Sequence, residues 1–197
     1  MGADQGKTGY ISVVEWLLER MSLDIQEAAV GKLLWFGKFR EDDWDYLGDL
    51  MREWQVLAAV VDADPQVNEA RKFCRRFHGY AWATRYRRGV TAKEIAVSEE
   101  DTGAPFAIVD RTAWLSATLG RFKSNPPRLL LPRDISLEYR EHLKNLVRTY
   151  EKDDTGNPVA TFVDVGPDHY AHSLVYSAIG LSLRGGIGVN QDITSGV

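Results

Sequence analysis

Several features that the sequence lacks exclude whole classes of protein. It contains a single cysteine in 197 residues, which excludes an internal disulfide and any zinc site built from several thiolates. No apolar run approaches the roughly 20 residues of a membrane-spanning helix, and no basic start leads into an apolar stretch. We therefore expect a soluble protein that is not secreted and contacts no membrane, in a reducing compartment such as the cytoplasm.

An intact phosphate-binding loop is also missing, although the first residues suggest one. The stretch GADQGKT at 2–8 ends in Gly6, Lys7 and Thr8, but too few residues separate its two glycines. That loop must have the spacing G-x-x-x-x-G-K-[ST], follow a buried strand and open a helix. Here a strand pattern at 10–16 follows Thr8 instead. We expect no nucleotide site.

A net positive charge is also lacking, since the 28 acidic residues outnumber the 24 lysines and arginines and the formal net charge is −4. An acidic balance argues against a protein that covers a nucleic acid with its whole surface. One basic strip nevertheless runs through residues 71–88, where arginines and a lysine are interleaved with aromatic residues and no acid occurs. The strip fits two interpretations equally well: a solvated helix face followed by a strand edge, or a local contact with a polyanion.

Hydrophobic periodicity predicts that strands and helices mix along the chain. We expect strands at 1–4, 10–16, 28–39, 56–62, 79–87 and 159–163, and a hairpin formed by 93–98 and 106–111. We expect helices at 44–54, 67–77, 112–123, 136–150 and 166–183. This order indicates a single α/β domain over residues 1–184, with a mixed sheet covered by helices on both faces. The tail at 185–197 has few apolar residues and is expected to be flexible.

One acid follows a run that should be buried on both faces. Residues 56–61 are all apolar and rich in valine, which is typical of a central strand. The run leads to Asp62. A buried carboxylate without a partner is costly, so we expect Asp62 to have a function. Asp64 precedes Pro65 and a helical pattern, so we expect it to cap the helix rather than to bind a ligand.

A second acid, Asp4, stands at the end of the first predicted strand. The glycine turn after it leads into a hairpin partner at 10–16, and a third strand, a helix and the strand ending in Asp62 follow. An acid on the first strand and another at the end of the fourth is the layout of ribonuclease H-like nucleases. Carboxylates suit Mg²⁺ or Mn²⁺, hard cations that take oxygen ligands and require no histidine or cysteine.

Four motifs extend this likeness over nearly the whole chain: GADQGK at 2–7, VVDADPQVNEARKF at 60–73, VDRT at 109–112 and GPDHYAHSLVYSAIGL at 166–181. With these motifs in this order, the chain resembles the C-terminal nuclease domain of the large terminase subunit of tailed bacteriophages. The resemblance implies a ribonuclease H-like fold in which Asp4, Asp62 and Asp168 bind two divalent metal ions, Mg²⁺ or Mn²⁺. Asp4 would bridge both ions, and the other two aspartates would each complete one site.

The resemblance also implies an activity and partners. Such a domain cleaves double-stranded, concatemeric viral DNA during genome packaging by a two-metal-ion mechanism, in the cytoplasm of the infected bacterium. Its partners would be the ATPase motor domain, the portal and the small terminase subunit. Because the sequence contains no intact phosphate loop, we expect it to be the nuclease portion of a longer protein.

Residues near Asp168 form a second tier of candidate ligands. Asp164 lies on the strand that approaches the site, and His169 and His172 lie at the start of the last helix, where His172 shares a face with Asp168. The His and Glu spacings of zinc hydrolases are absent, so the histidines are better explained as surface or supporting residues. Asp168 can cap the helix and still offer its second oxygen to a metal.

Candidate DNA contacts are Lys7 in the glycine turn and three arginines of the basic strip, Arg85, Arg87 and Arg88. A solvated lysine in a turn explains Lys7 equally well. Asp110 in VDRT is expected to pair with the neighbouring arginine or with the basic strip rather than to act in catalysis.

Two rival functions remain open from the sequence. Another ribonuclease H-like nuclease, such as a resolvase or a transposase-type strand cutter, would use the same acids on a substrate of different shape. The likeness of the last helix to the terminase family favours the terminase nuclease over this rival. A catalytically inactive DNA-binding adaptor of the same fold is the other class, and the presence of all three acids argues against it.

Overall fold

Strands open the chain, and helices then alternate with strands up to one long final helix. The computed structural model describes residues 1–18, 29–87, 95–100, 104–152, 155–185 and 189–191. Its strands are β1 (Gly2–Asp4), β2 (Thr8–Leu18), β3 (Ala29–Arg40), β4 (Ala59–Asp62), β5 (Ala81–Tyr86), β6 (Ile95–Glu100), β7 (Ala104–Val109), β8 (Leu129–Leu130), β9 (Leu146–Lys152), β10 (Pro158–Asp164) and β11 (Val189–Gln191). Its helices are α1 (Trp44–Glu53), α2 (Val67–Arg76), α3 (Arg111–Gly120), α4 (Leu137–Lys144) and α5 (His169–Gly185).

Nine strands form one mixed sheet in the order β11-β6-β7-β5-β4-β1-β2-β3-β8. The meander β1, β2 and β3 is antiparallel, whereas β1, β4, β5 and β7 are parallel neighbours. The hairpin predicted near residues 93–111 is confirmed as β6 and β7. Strands β9 and β10 form a separate antiparallel hairpin. The expected mixed sheet with helices on both faces is confirmed.

Alternation along the central strand explains the two layers of helices. In β4, Val61 faces a cluster that includes Leu47 of α1 and Phe73 of α2. Val60 faces a cluster that includes Leu115 of α3 and Ile179 of α5. Because successive strand residues point to opposite faces, β4 is buried on both sides, as its apolar sequence predicts.

Helix α5 packs directly over β1 on the second face. Its residues Val175, Ala178 and Ile179 are fully buried. A Cβ atom on Gly2 would lie 1.9 Å from the carbonyl oxygen of Ser173, so only glycine fits at this crossing. The first glycine of the GADQGK motif therefore allows a helix to approach a strand, and has no role in binding phosphate.

The helix predicted at 136–150 is wrong in its second half. Helix α4 ends at Lys144, and β9 begins at Leu146. The β-branched and aromatic residues Val147, Thr149 and Tyr150 favour a strand, and β10 provides a partner along its full length. Apolar residues at these positions also fit helical spacing, so periodicity alone does not separate the two structures.

The predicted cap of α2 is also wrong. The N-cap residue is Gln66, and the carboxylate of Asp64 instead accepts hydrogen bonds from Arg85 Nε at 3.1 Å and Nη2 at 3.3 Å. Pro65 precedes the cap rather than occupying the first helical turn, which moves Asp64 out of the capping position.

The end of the chain is only partly described. Of the tail expected at 185–197, Gly185 ends α5 and residues 189–191 form β11, which pairs in parallel with β6. The other tail residues lie outside the described ranges, so the domain boundary at 184 stays a prediction. In the described part of the chain, no helix has the length and apolar character needed to cross a membrane.

Candidate active site

Two carboxylates end neighbouring parallel strands. Asp4 is the last residue of β1, and Asp62 is the last residue of β4. The register pairs Ala3 with Val61, so the two aspartates lie side by side with their side chains on the same face. That face is the one covered by α5, because Val60 packs in the cluster that contains this helix. The carboxyl ends of parallel strands are where open α/β sheets place their ligand sites.

Asp4 is buried, whereas Asp62 is half-buried. Asp4 is only 6% exposed. Burial, followed by the negative charge of Asp4, raises the pKa of Asp62 to about 7. The backbone N–H of Asp64 donates to Asp62 Oδ1 at 3.2 Å and offsets part of this shift. Like charges at close range disfavour each other's ionised form, and a divalent cation between them would remove that penalty.

Gln5 ties the two strand ends together. Its Nε2 donates to the carbonyl oxygen of Asp62 at 2.8 Å, and its Oε1 accepts from the backbone N–H of Gln66 at 3.3 Å. These bonds hold the segment after β4 against the end of β1 and so fix the spacing of the two carboxylates. Sequence patterns missed Gln5, because a glutamine beside a glycine turn carries no distinctive signal.

His169 is the hydrogen-bond partner of Asp4. It is the first residue of α5, and its Nδ1 lies 2.8 Å from Asp4 Oδ2. The imidazole stacks on the ring of Tyr10, with centroids 4.7 Å apart and planes inclined by 12°. The hydrogen bond to Asp4 raises the pKa of His169, although partial burial opposes the shift. When protonated, His169 places a positive charge beside Asp4.

Asp168 stands at the N-terminus of α5. Its carbonyl oxygen accepts from the backbone N–H of Ala171 at 2.8 Å. Its Oδ2 lies 3.1 Å from His172 Nε2 and 3.8 Å from Arg111 Nη2. Burial alone would raise the pKa of Asp168, but the hydrogen bond with His172 and the nearby positive charges lower it overall. The helix dipole also favours a negative charge at this end.

The structure brings two of the three predicted ligands together and holds the third close by. Asp4 and Asp62 form a pair, whereas the carboxylate of Asp168 contacts other partners. His169, the next residue along the chain, reaches Asp4, so the turn that carries Asp168 borders the pair. Within the described ranges, no three His, Cys, Asp or Glu side chains are arranged to hold a metal ion. The ligand assignment therefore stays a prediction.

The candidate DNA contacts differ in their surroundings. Lys7 is exposed in the turn between β1 and β2, and Arg87 is exposed just after β5. Arg85 on β5 donates a hydrogen bond from Nε to the Asp64 carboxylate at 3.1 Å. Arg88 lies outside the described residues.

The VDRT motif contributes its arginine rather than its aspartate. Asp110 caps α3, because its Oδ1 accepts from the backbone N–H of Ala113 at 2.8 Å, so the predicted pairing with Arg111 is wrong. Arg111 instead donates to the carbonyl oxygen of Phe162 at 2.9 Å and lies 3.8 Å from Asp164 Oδ1. It thereby links the hairpin β9–β10 to the turn of Asp168. Asp164, a second-tier ligand candidate, is exposed at the end of β10.

Tyr86 was also missed by the sequence patterns. Its hydroxyl lies 2.9 Å from His172 Nδ1, on the side of the imidazole opposite Asp168. Part of a signal was available, since Asp168, His172 and Tyr176 recur every four residues and therefore share one face of α5. The contribution from β5 could not be seen, because Tyr86 is 86 residues away from His172 in the chain.

Comparisons with known proteins give similarities at low identity. Neither a protein-family model nor a curated protein matches this chain. The large terminase nuclease of thermophilic phage G20c is similar over 89% of this chain and 77% of that chain, at 16% identity and a TM-score of 0.48. A structure of the same nuclease with bound magnesium covers 89% and 88%, at 12% identity and 0.46.

The large terminase nuclease domain of Thermus phage P74-26 is similar over 89% of this chain and 75% of that chain, at 15% identity and a TM-score of 0.46. All three structures are large terminase nucleases, the group that the sequence motifs indicate. Identities and scores this low carry no conclusion about the activity of this chain.

Proposed function

We propose that this chain is a divalent-metal-dependent endonuclease domain that hydrolyses double-stranded DNA. The observation that carries the proposal is the pair of carboxylates at the carboxyl ends of β1 and β4, formed by the buried Asp4 and the half-buried Asp62. Two like charges side by side in a protein interior are unfavourable unless something compensates them. A site for hard cations is the arrangement that gives such a pair a use.

The donor atoms fit Mg²⁺ or Mn²⁺. Carboxylate oxygens are the ligands that these ions prefer. Burial and the charge of Asp4 raise the pKa of Asp62 to about 7. Near neutral pH, a divalent ion that binds this carboxylate therefore competes with a proton. Asp4 neighbours both Asp62 and the turn that carries Asp168, so Asp4 is the candidate bridge. Asp62 and Asp168 would each complete the ligands of one ion.

When bound, two such ions activate a water molecule and stabilise the charge that develops on the leaving oxygen of a phosphodiester. The residues of the chain prepare the site. Gln5 fixes the spacing of the strand ends, and His169 balances the charge of Asp4 in the metal-free state. Burial of the two carboxylates lowers the local dielectric constant, which strengthens their attraction for cations.

Double-stranded DNA is the proposed substrate, and by resemblance its source is concatemeric viral DNA during genome packaging. Lys7 and Arg87 are exposed next to the ends of β1 and β5, respectively, where they would contact phosphate oxygens. The ATPase motor domain, the portal and the small terminase subunit are the proposed partners. The cytoplasm of the infected bacterium is the proposed location.

Supercoiled plasmid incubated with the purified protein and Mn²⁺ tests this proposal. The wild type is expected to nick and linearise the plasmid, and EDTA or Asp62→Ala is expected to abolish both products. Asp45→Asn is the matched control, because it removes an exposed acid of α1 far from the pair. If the wild type cuts no DNA under any metal condition, the adaptor is favoured. If it cuts branched DNA in preference to the plasmid, the resolvase-type rival is favoured.

A further inference from the structure

A row of side chains crosses the sheet from the carboxylate pair toward β3. The register pairs Asp4 on β1 with Tyr10 on β2, and it pairs Tyr10 with Lys38 on β3. Residues directly opposite each other on neighbouring antiparallel strands project from the same face of the sheet. Lys38 therefore lies on the face of the carboxylate pair, two strands away from Asp4, which is about 10 Å between Cα atoms at the ordinary strand spacing.

Two contacts position the ammonium group of Lys38. Its Nζ lies 5.3 Å from the centre of the Tyr10 ring, within the range of a cation–π attraction. The same ring stacks on the imidazole of His169, which is the hydrogen-bond partner of Asp4. Lys38 Nζ also lies 2.6 Å from Glu138 Oε1 on α4. The ammonium group is thus held beside the surface that borders the carboxylate pair.

The ion pair of Lys38 and Glu138 is open to solvent, since each side chain is 43% exposed. Exposed ion pairs are weak, because water and salt screen them. A DNA phosphate that approaches from solvent can therefore replace Glu138 as the partner of the ammonium group, and lysine is a common ligand of phosphate. Each DNA strand carries one phosphate per 3.4 Å of helix axis, so a phosphate about 10 Å from the one being cut lies within about three nucleotides of it.

We propose that Lys38 is a further substrate-binding residue: it contacts a phosphate of the duplex a few nucleotides from the scissile one, and Glu138 holds it when no DNA is bound. This inference rests on the proposed function, in which DNA is cut at the Asp4–Asp62 pair. Arg87 follows β5 and Lys38 lies on β3, so the two cations flank the carboxylate pair in the order of the strands. Phosphate contacts of this kind fix the register of a duplex without reading its sequence.

The variants Lys38→Gln and Glu138→Gln separate this role from a purely structural one. If the ion pair only fastens α4 to β3, removing either charge breaks the same contact, and both variants change DNA affinity in the same direction. If Glu138 competes with phosphate for Lys38, Lys38→Gln weakens DNA binding and Glu138→Gln strengthens it. Lys38→Arg keeps the positive charge and should stay near the wild type.

Fluorescence anisotropy of a labelled DNA duplex in EDTA measures these affinities apart from metal-dependent cleavage. One phosphate contact fewer lowers the slope of log K against log salt concentration by about 0.9, so the advantage of the wild type over Lys38→Gln should shrink about 3.5-fold between about 50 and about 200 mM salt. Glu138→Gln should bind up to about fivefold more tightly than the wild type, which is the most that release from one exposed ion pair allows.

Arg52 and Asp49 on α1 provide the matched control. Arg52 Nη1 lies 2.6 Å from Asp49 Oδ1, the same separation as between Lys38 and Glu138, and both side chains are exposed. Arg52 is in the last turn of α1, and the chain enters β4 shortly afterwards, so this pair lies at the edge of the sheet opposite to the carboxylates. Arg52→Gln and Asp49→Asn should both keep the DNA affinity and the salt slope of the wild type.

A double-variant cycle tests whether Glu138 acts through Lys38. In a Lys38→Gln background, adding Glu138→Gln is expected to leave DNA affinity unchanged, because the acid no longer has a lysine to release. A gain of the same size as in the wild-type background would show that Glu138 only repels DNA in general, and it would overturn the competition between Glu138 and phosphate.

Plasmid cleavage in Mn²⁺ reports the proposed function, whereas binding in EDTA reports the contact made by Lys38. If the wild type cuts plasmid and Lys38→Gln keeps the wild-type affinity and salt slope, this inference is overturned and the proposed function stands. If the wild type cuts nothing but the opposite shifts appear in EDTA, the phosphate contact is supported as part of a DNA-binding surface, and the proposed cleavage falls. If the wild type neither binds nor cuts duplex DNA, both fall.

Discussion

Acidic side chains occur in opposite settings on the two faces of the sheet. On α1 and α2, Asp45 lies 2.6 Å from Arg76 and Glu69 lies 2.7 Å from Lys72, and all four side chains are well exposed. Each acid has its own counter-charge, and exposed pairs of this kind contribute at most about 1 kcal/mol each. On the α5 face, the buried Asp4 and the half-buried Asp62 lie next to each other.

The exposed ion pairs on α1 and α2 contribute slightly to stability, whereas the Asp4–Asp62 pair is expected to reduce it. In the α2 half of the basic strip, Lys72 and Arg76 are exposed and paired with Glu69 and Asp45, respectively, which fits a solvated helix face; a contact with a polyanion stays a prediction. We expect the Asp4–Asp62 pair to lower the stability of the metal-free protein, because each ionised carboxylate disfavours the ionised form of the other and both are partly shielded from water. A ligand that binds only the folded state returns this free energy on binding.

The largest expected difference between the two settings is in DNA cleavage. Asp62→Asn keeps the size of the side chain but removes a ligand charge, whereas Asp45→Asn removes an exposed acid. Since loss of a supporting contact alone costs 10–100-fold, Asp62→Asn should slow plasmid cleavage by more than about 100-fold. Initial rates of nicking in Mn²⁺ measure this. Equal rates for the two variants would contradict the assignment of the pair as the active site.

Stabilisation by metal is the next effect in size. At an Mn²⁺ concentration about 100 times the Kd, the wild type should gain about 2.7 kcal/mol in its free energy of unfolding, or roughly 5–10 °C in Tm for a chain of this length. Asp62→Asn should gain much less. Thermal unfolding in EDTA and in Mn²⁺ gives both values, and Asp45→Asn provides the control. If the Tm of the wild type is the same in EDTA and in Mn²⁺, the metal site is contradicted without any assay of activity.

The sequence predicts the setting of Asp62 better than it predicts the partners of Asp168. A strand buried on both faces must be apolar along its length, so the carboxylate at its end stands out in the sequence alone. Asp4 follows from the same logic, once residues 1–4 are recognised as a strand. The contacts of Asp168 depend on which strand faces α5, and only tertiary packing decides that.

Two predictions fail because the partner of a segment cannot be seen in the local sequence. Arg111 and Asp110 are adjacent, and the sequence does not show that the aspartate turns back to cap α3 while the arginine reaches toward β10. The error at Leu146 is different, because an apolar residue there satisfies a helix and a strand equally well. Local preference decides neither case; the availability of a partner, a free N–H group or the strand β10, does.

The stability of the metal-free protein should also depend on pH. Burial and the charge of Asp4 raise the pKa of Asp62 to about 7 in the folded state, above the ordinary value near 3.9. The folded state therefore binds the extra proton, and stability falls as pH rises from about 4 to about 7. Asp62→Asn should remove this loss, and so exceed the wild type by on the order of 4 kcal/mol at pH 8 in EDTA.

Urea unfolding at several pH values in EDTA measures this difference, and the sign is the critical result. The same variant that loses cleavage should be the more stable protein at pH 8 and should lose that advantage near pH 4.5. Asp45→Asn should run parallel to the wild type across the range. A wild type more stable than Asp62→Asn at pH 8 would mean that the carboxylate is compensated within the metal-free fold.

Cys74 tests burial without a neighbouring charge. The thiol lies in the core beneath α2, and burial raises its pKa to about 12. No like charge stands beside it, so this shift carries no sign of function and only makes the thiol unreactive. At pH 8 the thiolate fraction should be about 10³-fold below that of an exposed thiol, and alkylation by iodoacetamide should be slowed at least as much. Mass spectrometry of native and denatured protein measures the two rates. Comparable alkylation rates in native and denatured protein would show that α2 opens readily. Burial beneath α2 would then not protect Cys74, and the raised pKa of its thiol would not describe the folded protein.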